Sequence, residues 1–139
     1  MLLKTLFLLT LAFPLAAFAQ TDLPEYGKLT DLPENPVVYL IAELTENREG
    51  MKRVLSRHSL FATFADDPET ANLFIEYISV RNQNSFLLAI ESGELRVFTR
   101  ANGRRRLLWT ASSSGAAYKA TQPKKLAKRF LSELKKTHR

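Results

Sequence analysis

Cysteine is absent from all 139 residues. That excludes disulfide staples, thiolate metal sites, thiol nucleophiles and lipid-modified cysteine in one stroke. Histidine occurs twice, as His58 and His138, far apart in the chain. Two separated histidines without cysteine do not make a zinc site. With only 5 glycines the chain holds no Gly-rich phosphate loop, and Ser112, Ser113 and Ser114 lie in no Gly-x-Ser-x-Gly elbow. Asp66, Asp67 and Glu69 cluster without the alternating spacing of a calcium loop, and read instead as a turn with a helix cap. The composition therefore offers no catalytic residue, no metal and no cofactor, and the chain is expected not to be an enzyme. Acids are also scarce at one end: beyond Glu94 only Glu133 remains.

What the chain does have begins at its amino terminus. Lys4 is followed by an uncharged run from Leu6 to Ala19 that closes on Ala17-Phe18-Ala19 and Gln20. A basic start, a short apolar stretch and an Ala-x-Ala site make a secretory signal peptide over residues 1–19. The alternative, a membrane anchor, needs roughly 20 apolar residues; this run is shorter and contains Pro14. Cleavage after Ala19 leaves one domain-sized chain. A chain of that size buries about two thirds of its unfolded surface, enough for a core without staples. No later run is long enough to cross a membrane, so an exported protein, periplasmic or extracellular, is expected.

Residues 20–36 carry Pro24, Pro33 and Pro36 and read as an acidic linker. Within them Thr21-Asp22-Leu23-Pro24-Glu25 recurs as Thr30-Asp31-Leu32-Pro33-Glu34, either a docking motif or a Pro-stiffened spacer. Residues 37–139 then form a single α+β domain. Val37 to Ala42 is a β-branched buried strand. A helix from about Glu46 to His58 follows, with Met51, Val54 and Leu55 as its inner stripe. Leu60–Phe64 reads as a strand, Asp67-Pro68 as a capped turn, and Leu73–Arg81 as a longer strand turning at Asn82-Gln83-Asn84. Phe86–Glu91 and Glu94–Arg100 read as a hairpin around Ser92-Gly93. A second hairpin turns at Asn102-Gly103 and returns over Arg104–Thr110. Small polar residues from Ala111 to Gln122 make a loop. Pro123 opens a last helix with Leu126, Ala127, Phe130, Leu131 and Leu134 inward. The predicted order is β-α-β-β-β-β-β-α: a mostly antiparallel sheet of five to six strands with two helices on one face.

The charges divide sharply along the chain. Residues 20–94 hold 6 Lys/Arg against 13 Asp/Glu, whereas residues 95–139 hold 13 Lys/Arg against a single acid. Arg100, Arg104, Arg105 and Arg106 surround one hairpin tip, and Lys124, Lys125, Lys128 and Arg129 follow on the last helix with Lys135 and Lys136. Such a surface attracts polyanions: anionic headgroups, lipopolysaccharide phosphates, acidic glycans or an acidic protein. The alternative is a solvated basic face, balanced in part by the acidic half. Export and the lack of any nucleic-acid motif argue against nucleic acid. A two-residue turn at Asn102-Gly103 sets Arg96 opposite Trp109. Leu95, Val97 and Leu108 are then expected inside. Arg96, able to stack on Trp109, would share a more open face that marks a partner site, unless Trp109 is itself core.

Gly93-Glu94-Leu95-Arg96-Val97-Phe98, Asn102-Gly103, Leu107-Leu108-Trp109, a small-residue loop and a closing helix together resemble a loose group of small exported bacterial domains of unknown function. Asp66-Asp67 leading to Ile75 is similar too. The resemblance covers about residues 37–137. It implies a fold of the TolB amino-terminal or curli-secretion-assembly type, and a role in envelope assembly. It carries over no functional residues.

Overall fold

A computed structural model describes residues 25–82 and 89–137. The export segment, the first copy of the repeat up to Pro24, the turn at Gln83-Asn84 with Phe86, and His138 lie outside the described residues.

Six strands form one sheet in the order β1-β6-β5-β4-β2-β3: β1 Glu25–Tyr26, β2 Val37–Ala42, β3 Thr63–Phe64, β4 Leu73–Asn82, β5 Ile90–Ala101 and β6 Arg104–Ala116. Helix α1 spans Thr45–Leu55 and α2 spans Thr121–Thr137. The α+β class is as expected, but the sheet is mixed. β4, β5 and β6 are antiparallel, whereas β1–β6, β2–β3 and β2–β4 pair parallel. α1 accounts for the parallel run beside β2, since a strand that returns through a helix comes back alongside its predecessor in the same direction; β1 reaches β6 from the other end of the chain.

The local chemistry explains most elements. Asn102 and Gly103 both adopt positive φ (55° and 74°), the conformation a two-residue hairpin turn demands. Asp67 Oδ1 accepts the Glu69 N–H at 3.0 Å, and Pro68 opens a single helical turn. In α2 the 3.6-residue period buries Leu126, Ala127, Phe130 and Leu134. These side chains meet Met51, Val54 and Leu55 of α1 and Val38, Leu73, Ile75, Leu95 and Val97 of the sheet in one core. Gly50 lets the helices approach closely, since a Cβ there would lie 3.0 Å from that of Ala120.

Four expectations are corrected. Ser92-Gly93 is no turn: β5 runs unbroken through it. Gly93 is required for close approach, because a Cβ would run into the Tyr77 ring across the sheet. The predicted loop from Ala111 is the second half of β6, where Ser112, Ser113 and Ser114 pair with Glu94, Gly93 and Ser92. The strand expected over Leu60–Phe64 shrinks to Thr63–Phe64. Residues 25–36, part of the expected linker, lie on the domain: β1 pairs with Arg106 and Leu107, and Leu29 and Leu32 pack against the core.

A fifth correction concerns Trp109. The register shifts between Val97 and Phe98, so Val97 faces Trp109 while Phe98 faces Leu107. Leu108 is the extra residue of a β-bulge, which turns two successive side chains to one side. Leu95, Val97 and Leu108 are inside as expected. Trp109 joins them, its ring 5.4 Å from that of Phe130. Arg96 pairs with Thr110 instead, on the opposite face of the sheet.

Candidate functional site

The basic residues singled out from sequence do not form one surface. Strand alternation sends Arg100 and Arg105, opposite one another in register, to the sheet face turned away from the helices. There Phe74 and Phe98 stack with centroids 5.3 Å apart and planes 11° from parallel. Arg100 Cζ lies 4.5 Å above the Phe74 ring and Arg105 Cζ 4.7 Å above Phe98. The guanidiniums and their stems roof the rings, which are only 1% and 2% exposed. Arg104 reaches Glu25 at 3.4 Å. Alternation sends Arg106 to the other face, where its Nε lies close to Gly27. Arg96 is held by Glu94 at 3.1 Å and Glu76 at 3.9 Å. The Arg96 and Thr110 hydrogen bonds outweigh partial burial and hold the Glu94 carboxyl below its ordinary range.

The sheet separates Arg96, Arg100 and Arg105 from the cations of α2. At the amino-terminal end of the helix pair, Lys124 shares a shallow depression with Lys119, Arg53, Glu46 and Glu49, so charge there is mixed. Arg129 donates to the Ser112 carbonyl at 3.4 Å and Lys136 to Glu133 at 3.3 Å; Lys125 is exposed. The carboxy-terminal halves differ. There a groove of about 310 Å³ is lined by Val54, Arg57 and His58 on one side and Lys128, Leu131, Ser132 and Lys135 on the other. Among the described residues, no carboxylate lines it. Lys128, Ser132 and Lys135 follow i, i+4, i+7 spacing and were legible as one helix face. Arg57 and His58 were not, because nothing in the sequence says that the two helices lie side by side.

A second polar group, unforeseen from sequence, is fully buried. Glu91 is 0% exposed. It accepts the Tyr77 hydroxyl at 2.6 Å and Arg81 Nε at 2.9 Å. Burial, and then the bond to Glu91, push the Tyr77 hydroxyl well above its ordinary range. Nearby, Gln122 bonds Ser113 at 2.8 Å and the Ala116 carbonyl at 3.1 Å, fastening the start of α2 to β6. These groups are satisfied by one another and act as internal ties.

No protein-family model matches the chain, and no curated protein matches it. Two solved structures are similar in outline. One is a minor lipoprotein from Acinetobacter baumannii, at 15% identity and a TM-score of 0.41, covering 77% of this chain and 95% of that one. The other is a hypothetical protein from Chlamydia trachomatis, at 12% identity and a TM-score of 0.37, covering 70% and 92%. Likenesses this distant carry no functional argument. Neither protein is described as a TolB amino-terminal or curli-secretion-assembly domain. Among the described residues, no helix is long and apolar enough to cross a membrane.

Proposed function

We propose that the protein is an exported, non-enzymatic interaction module of the cell envelope, and that its helix layer meets an anionic surface component. One observation carries this reading. Two helices distant in sequence bring Arg57, from the acidic part of the chain, and Lys128 and Lys135, from the basic part, to one groove. Envelope surfaces are rich in phosphates and acidic glycans, and a cationic face on a mobile partner raises its local concentration at such surfaces. Export rests on Lys4, the uncharged run and Ala17-Phe18-Ala19.

The test is retention of the purified protein on heparin, lipopolysaccharide or anionic liposomes during a salt gradient. Retention at low salt that weakens steeply as salt rises is expected. Changing Lys128 and Lys135 to Gln should shift elution to lower salt more than changing Arg104, Arg105 and Arg106 to Ser. The reverse order would move the contact to the hairpin tip. No retention at low salt on any of the three would end the proposal.

A further inference from the structure

We infer that the groove between the carboxy-terminal halves of α1 and α2 is a discrete binding site for a phosphate dianion, held by Arg57, His58, Lys128, Ser132 and Lys135. The inference rests on the reading above only for its setting in the envelope; the site itself is argued from the groove.

Among the described residues, Arg57, Lys128 and Lys135 take part in no ion pair. The charged residues described in this groove are all cationic, in contrast to the depression at Gly50, where Glu46 and Glu49 offset Arg53 and Lys124. The nearest acid along α2, Glu133, is engaged by Lys136 and does not line the groove. Helix dipoles account for cations near both helix ends. They do not account for Lys128, in the middle of α2, lining the same groove as Arg57.

The groove also supplies neutral donors. His58 Nδ1 accepts the Leu60 N–H at 3.1 Å. In the neutral ring the proton therefore sits on Nε2, the atom left to donate to an oxyanion. The ring is steadied against Phe61, 5.8 Å away, which in turn packs on Phe130. Ser132 adds a hydroxyl. Val54 and Leu131 complete the lining beside these donors. A volume of about 310 Å³ is ample for a tetrahedral oxyanion that exchanges water for charged donors. Charge-assisted bonds from guanidinium and ammonium to such an anion are the strong class of hydrogen bond.

The experiment is an NMR titration of the purified protein with inorganic phosphate, against chloride at matched ionic strength. Saturable shifts confined to residues around the groove, absent with chloride, are expected. Arg57→Gln and Lys128→Gln should each weaken phosphate by about tenfold or more. Lys52→Gln removes a charge from α1 outside the groove and should leave the titration unchanged. Non-saturating shifts, equal response to chloride, or an unaltered Lys128→Gln protein would overturn the site. The source of the phosphate is read with phosphatidylcholine vesicles doped with phosphatidic acid. Binding competed by free phosphate identifies a headgroup, and saturation by phosphate without vesicle binding identifies a free ligand; both support the site. Heparin retention that persists without saturable phosphate binding sinks the site but not the broader function. Saturable phosphate binding without any retention does the reverse.

Discussion

At the scale of single residues, the buried Tyr77–Glu91–Arg81 group gives the sharpest expectations. A carboxylate removed from water needs its hydrogen bonds, because an unpaired buried polar group costs about 1–3 kcal/mol. Tyr77→Phe removes one of two partners and should lower unfolding stability by about that amount in urea melts. The folded-state value of Tyr77 is raised, so its contribution is fully present below the unfolded value near pH 10 and is lost as pH rises beyond it. Spectrophotometric titration should accordingly find one tyrosine that ionises only as the fold opens. Gly93→Ala should destabilise by about 1–3 kcal/mol, since the added methyl overpacks the Tyr77 ring. Glu94 behaves oppositely with pH. Its value is lowered, so its contribution is present above pH 4.5 and is lost as pH falls through the lower folded-state value. Glu94→Gln should remove that part of the acid sensitivity, an effect of under about 1 kcal/mol for a pair this exposed. None of this was legible in the sequence. Gly93 reads as a turn residue because what it makes room for belongs to a different strand.

At the scale of elements, legibility followed periodicity. The stripe of α2, the inner residues of α1, the Asp67-Pro68 cap and the Asn102-Gly103 turn each announce themselves within a few residues, and the structure has them. Phe130 anchors α2, touching both Phe61 and Trp109. Phe130→Ala should cost about 3–5 kcal/mol, with a red shift of the single tryptophan's emission as its neighbour is lost. The second half of β6 was illegible for a physical reason. Ala111-Ser112-Ser113-Ser114-Gly115 has no apolar alternation, and its extended form is imposed by β5, which supplies the hydrogen bonds. The same holds for β1, where two exposed residues become a strand only because β6 leaves an edge beside them.

For the molecule as a whole, the split between an acidic first part and a basic second part was plain in the sequence, but not its distribution in space. The sheet parts Arg100 and Arg105, which roof Phe74 and Phe98, from the helix cations around the groove, while Arg106 lies on the helix side. A net charge treated as one patch would predict equal loss of retention from either set of substitutions. The geometry predicts that the helix set dominates, which the salt gradient checks. Parallel pairing is likewise a property of the assembled chain: α1 carries the chain from β2 to β3, and β1 settles beside β6.

The bulge at Leu108 makes chain length itself a structural signal. Seen along β6, every side chain from Trp109 to Ala116 owes its inward or outward sense to the way one supernumerary residue is accommodated. Deleting Leu108 would close the bulge: Leu107 and Trp109 would still face Phe98 and Val97, and the parity of the whole stretch would survive. Keeping Leu108 while flattening the bulge is what would swing the indole to the far face and point Thr110, Ser112 and Ser114 at α2. A protein lacking Leu108 should therefore keep a shielded tryptophan and a docked carboxy-terminal helix, whereas one residue inserted between Trp109 and Thr110 should invert everything beyond it and detach that helix.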